Sequence, residues 1–118
     1  MTETAATPPG VIPYIDHHIG SKRLVTVTLE PVKALVRGIT EKMTQPTLHV
    51  DGRQFIVYWG RVTVEAPADR SVHIAVGLQD GLRGASLLLE SGAGPDYLLY
   101  QVPGAGMATL VQVPGEQP

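Results

Sequence analysis

Between positions 22 and 113 the chain is a succession of short, Val-rich runs separated by brief punctuation. The links at 66–70, 80–84, 92–96 and 103–107 are five residues each, and most are rich in Gly, Pro or Asp. Links that short cannot hold a crossover helix, so successive strands are expected to pair antiparallel. Lys22 to Leu29 alternates, with Val25, Val27 and Leu29 on one face and Thr26 and Thr28 on the other. β-branched residues at that period suit a pleated, half-buried surface. The other runs are 47–50, 53–65, 71–79, 85–91, 97–102 and 108–113. Seven runs predict a mainly β domain: a six- to seven-stranded antiparallel sandwich or partly closed barrel.

One segment departs from this period. In 31–43, Val32, Leu35, Val36, Ile39 and Met43 fall on a single helical stripe. Pro31 suits a first helical turn and Pro46 stops continuation. A helix near 31–43, packed on one sheet face, is therefore expected, which would make the domain α+β. Residues 1–13, with Pro8, Pro9, Gly10 and Pro13, read as a flexible or partner-docked arm. Residues 114–118 read as a tail, leaving 14–113 as one β-rich domain.

Register follows from turn chemistry. Asp51-Gly52 lies between apolar runs, and a type I′ turn needs positive φ at both central positions. A two-residue loop pairs Val50 with Arg53, Leu48 with Phe55 and His49 with Gln54. If 53–65 is one strand, Ile56, Tyr58, Val62 and Val64 share a face that matches the Val72, Ile74, Val76 and Leu78 row. The second face then carries Leu48, Val50, Phe55, Val57 and Trp59 at one end. At the other end it carries Arg61, Thr63, Glu65 and His73. The apolar end needs a cover, either the 31–43 stripe or a second copy of the chain. Leu82-Arg83, at the tip of 80–84, is a further candidate contact point.

Candidate chemistry is sparse. The chain has no Cys, which excludes disulfides, thiolate metal sites and a cysteine nucleophile. Its four His (His17, His18, His49 and His73) form neither HxH nor HExxH spacing, so no metal and no cofactor is expected. His73 beside Glu65, with Arg61 nearby, is the best polar cluster: a carboxylate would orient the imidazole for general-base work. None of the Gly-rich links precedes a helix at phosphate-loop spacing, so they read as turns. Nine Lys and Arg against eleven Asp and Glu give a net charge of −2, with no basic face for nucleic acid. The N-terminal stretch lacks signal-peptide character, and no run reaches the ~18 apolar residues of a membrane span. A cytoplasmic protein, or a subunit of a soluble assembly, is expected.

With 43% hydrophobic and only 17% charged residues, the chain is apolar enough to need a partner surface. It therefore reads first as a non-enzymatic interaction or assembly module, a homo-oligomer subunit docking on itself or another protein. The alternative is a small-ligand-binding barrel or small β-fold enzyme using His73, Glu65 and Arg61.

Overall fold

The computed structural model describes residues 10–30, 45–78, 84–102 and 108–115. Over these residues the chain is all-β. The expected helix at 31–43 and the Leu82-Arg83 tip lie outside the described residues. Among the described residues nine strands occur: β1 (Val11–Ile12), β2 (Lys22–Glu30), β3 (Pro46–Val50), β4 (Arg53–Ile56), β5 (Gly60–Pro67), β6 (Val72–Leu78), β7 (Ala85–Leu89), β8 (Asp96–Gln101) and β9 (Thr109–Val113). They form a five-stranded sheet, β1-β5-β2-β8-β9, and a four-stranded sheet, β4-β3-β6-β7. The two sheets share one core and do not close into a barrel.

The hairpin register follows the turn argument. Val50 pairs with Arg53, Leu48 with Phe55 and His49 with Gln54. Asp51 and Gly52 have φ of 48° and 88°, the left-handed pair that a type I′ turn demands. Asp51 tolerates that region because its short side chain hydrogen-bonds locally. Pairing is mostly antiparallel, but β1–β5 and β2–β8 are parallel. Strand β8 reaches β2 only after the chain has built the whole four-stranded sheet, so no short link governs that pair.

The run 53–65 is not one strand. It leaves the four-stranded sheet after β4 and enters the five-stranded sheet at β5. Residues 57–59 make the passage, and Gly60, at φ 113°, starts the new strand in a conformation L side chains rarely adopt. The inward positions change parity there. Phe55 and Val57 face the core before the crossing; Val64 and Ala66 face it afterwards. The apolar patch at Leu48, Val50, Phe55, Val57 and Trp59 and the Val62/Val64 row thus turn toward the same interior. The cover anticipated from a helix or a partner comes from the chain's own second sheet.

Strand β5 consequently pairs with β2, not β6. Val72 pairs with Leu89 and His73 with Leu88. Val25, Val27, Leu48, Ile74, Leu98 and Tyr100 are wholly buried. At one end Trp59 stacks on Tyr100, with centroids 6.5 Å apart. At the other end Arg23, in phase with Val25, Val27 and Leu29, points inward with its side chain 1% exposed. Its guanidinium donates to the carbonyls of Pro67, Arg70, Leu89 and Glu90 and to the Asp96 carboxylate, 3.1 Å away. All five N–H donors are used, which is the condition for burying a guanidinium.

Candidate functional site

The expected polar cluster does not assemble. Arg61 and Glu65 lie on the outer face of the five-stranded sheet, in register with Thr28 and Leu24. His73 lies on the outer face of the four-stranded sheet, on the opposite side of the molecule. The sequence argument placed them together by continuing 53–65 as one strand, and the sheet change breaks that premise. Glu65 instead takes the Tyr14 backbone N–H at 3.4 Å and lies 3.7 Å from Lys22 Nζ.

His73 is tied to the hairpin turn. Its N–H donates to Asp51 Oδ1 at 2.9 Å, and its carbonyl accepts the Asp51 N–H at 2.9 Å. The other Asp51 oxygen accepts the Tyr14 hydroxyl at 2.8 Å and lies 3.1 Å from Arg70 Nη2. Burial alone would raise the Asp51 pKa. The bonds from His73, Tyr14 and Arg70 outweigh it and hold the carboxyl below its ordinary value. The Tyr14 hydroxyl is shifted upward, first by burial and then by the Asp51 carboxylate it binds. With both oxygens engaged, this carboxylate serves as a rivet joining turn, strand β6 and the N-terminal segment.

His49 and His73 share the outer face, contrary to the single-strand expectation. His49 pairs with Ala75, and together with Thr47, Gly77 and Ser86 they line an open, shallow groove of about 410 Å³. His49 sits 3.4 Å from the Thr47 hydroxyl. Ser86 and His49 flank Ala75 in one cross-strand row, two strand spacings or roughly 9–10 Å apart at the backbone. Among the described residues no three His, Asp or Glu side chains converge as a metal site. No helix there is long and apolar enough to cross a membrane.

Of the candidate contact residues, Leu48, Val50 and Val57 are buried, and Phe55 and Trp59 pack half-buried against the core. The surface features that do emerge are the sheet edges, and the two sides of the molecule differ. On one side, β1 runs along β5 and the chain continues across to the hairpin as a strap. Asp16 there accepts two hydrogen bonds from Arg53, at 2.8 and 2.9 Å. Residues 11–13, read from the sequence as part of the flexible or partner-docked arm, lie in this strap. On the other side, the edge strands β7 (ASLLL) and β9 (TLVQV) lie together and contain no charge and no Pro. Leu88 is 63% exposed and Val111 47%. The Leu87-Leu88-Leu89 run is therefore not buried on both faces within the chain. Its lack of charge was the available signal for an edge role.

Among the described residues these features define a class: an all-β, two-sheet domain with one strapped side and one side whose edge strands carry neither charge nor Pro. No family model, curated protein or solved structure matches the chain.

Proposed function

We propose that this chain is a non-enzymatic interaction and assembly module, the subunit of a symmetric homo-oligomer that docks through its β7/β9 side. The observation that supports the reading is the asymmetry of the edges. Exposed strand edges are templates for pairing, and solitary domains blunt them with charge, Pro, bulges or a covering segment. Here the β1/β4 side has a covering strap with ion pairs, whereas β7 and β9 have neither charge nor Pro. The rival reading, a ligand-binding fold or enzyme built on His73, Glu65 and Arg61, has its three residues divided between opposite faces. Light scattering at micromolar concentration tests the proposal: a mass above the 12.6 kDa chain is expected. A 12.6 kDa particle whose Trp59 fluorescence ignores dilution would overturn it.

A further inference from the structure

We propose that two copies of the chain pair antiparallel along β7, about a two-fold axis at Leu87, and so join their four-stranded sheets into one continuous sheet. This inference rests on the assembly reading above and names its contact. Among the described residues, β6 is the only strand paired with β7, whose Leu89 carbonyl also accepts from the buried Arg23, so the backbone N–H and C=O groups along the outer edge of β7 face away from the sheet. Groups of that kind are satisfied by another strand.

The sequence of β7 matches its own reverse in size. About Leu87, Ser86 meets Leu88 of the second copy, Ala85 meets Leu89, and Leu87 meets Leu87. On the outer face each small residue thus receives a large one, covering Leu88, which is 63% exposed. On the inner face the half-buried Leu87 of each chain closes over the other. Glu90, just beyond the strand, faces Gly84 of the second copy, so no like charges oppose. Moving the axis by one residue loses this match: it places Leu88 against Leu88, or Leu88 against Gly84.

The remaining edges fit a second copy less well. Strand β9 paired about Val111 would set Leu110, 7% exposed, against Gln112, whose amide binds Asp96 at 3.3 Å. Strand β4 is engaged by the strap through Arg53 and Asp16.

The register makes the test specific. Ser86 and Leu88 are both exposed, so charges there leave the fold intact, checked by circular dichroism and thermal melting. S86K/L88K and S86E/L88E each place like charges opposite one another across the axis. Each is expected to weaken self-association about tenfold or more, since like charges directly opposite repel. Mixing the two restores a heterodimer. S86K/L88E places Lys opposite Glu at both positions and retains self-association; because it also carries two charges, it controls for misfolding. Association in all variants alike would overturn the β7 contact while leaving the assembly reading standing. A wild-type chain that is monomeric throughout would overturn both.

Discussion

Arg23 offers the sharpest test of how the core is closed. In Arg23→Met an apolar side chain of similar length replaces the guanidinium. The change removes the partner of Asp96 and of four backbone carbonyls. Two of those bonds, to Pro67 and Leu89, are buried. A buried acceptor left unpaired costs roughly 1–3 kcal/mol. Arg70, Glu90 and Asp96 are nearer solvent, and water replaces much of what they lose. Relief of the guanidinium's own desolvation offsets part of the cost. The net expectation is a loss of about 3 kcal/mol, or a melting temperature lower by roughly 10–15 °C for a domain of this size. Urea unfolding followed through Trp59 is a suitable assay. Trp59 is the single tryptophan and adjoins Gly60, which pairs with Leu29 six residues along β2 from Arg23. That spacing is about 20 Å, so the probe reports global unfolding, not the local substitution. Arg23→Lys should fall between the two, because an ammonium lacks the planar fork. A loss under about 1 kcal/mol for Arg23→Met, with an unchanged denaturant slope, would refute the view that Arg23 holds this end together.

Three further outcomes follow from the same structure. A Cβ at Gly60 meets nothing within 4 Å, yet φ there is 113°, so Gly60→Ala should cost about 2 kcal/mol through backbone strain alone; an unchanged urea midpoint would contradict the sheet change at that residue. Leu48 is 0% exposed, and Leu48→Ala should destabilise the chain by about 2–5 kcal/mol at any protein concentration. A deficit that appeared only under associating conditions would instead place Leu48 at an interface. Asp51→Asn keeps a residue that tolerates the turn while removing the charge, and should cost about 1 kcal/mol at neutral pH, a modest figure because Arg70 is half exposed. Since the Asp51 pKa is lowered on folding, its contribution is present above the unfolded value near 4 and is lost as pH falls through the folded value. The gap between wild type and variant, read from melts, should therefore be constant from neutral pH to about 4 and close below it.

Much of the fold was legible in the residues because local chemistry dictates it. Asp51-Gly52 specified its turn, and with it three correct cross-strand pairs. The period-2 alternation of Lys22 to Leu29 and Val72 to Leu78 marked strands and their buried faces. What escaped was non-local. The pairing of β2 with β8 depends on contacts some seventy positions apart, which no local pattern encodes. The break at 57–60 did leave a trace: inward positions run odd through Val57 and even from Val62. Period-2 geometry permits that only if the strand bends or changes sheet, and Gly60 marks where. Read as one strand, the same residues brought His73 to Glu65 and put the Leu48 patch on the surface. Arg23 was also readable, since a charge in phase with Val25, Val27 and Leu29 must point inward. The β7/β9 side was visible only as an absence of charge in Ala85 to Leu89, and acquired meaning once topology made that strand an edge.

Hydrogen exchange of the β7 amides as a function of protein concentration tests the assembly account most directly. Pairing along this edge buries backbone donors that the isolated chain exposes, so their exchange should slow as the concentration rises from about 1 to about 100 µM. Amides of β2 and β6, already bonded on both sides, should not change. Exchange along β7 that is the same at every concentration would contradict the claim that this edge is where copies of the chain meet.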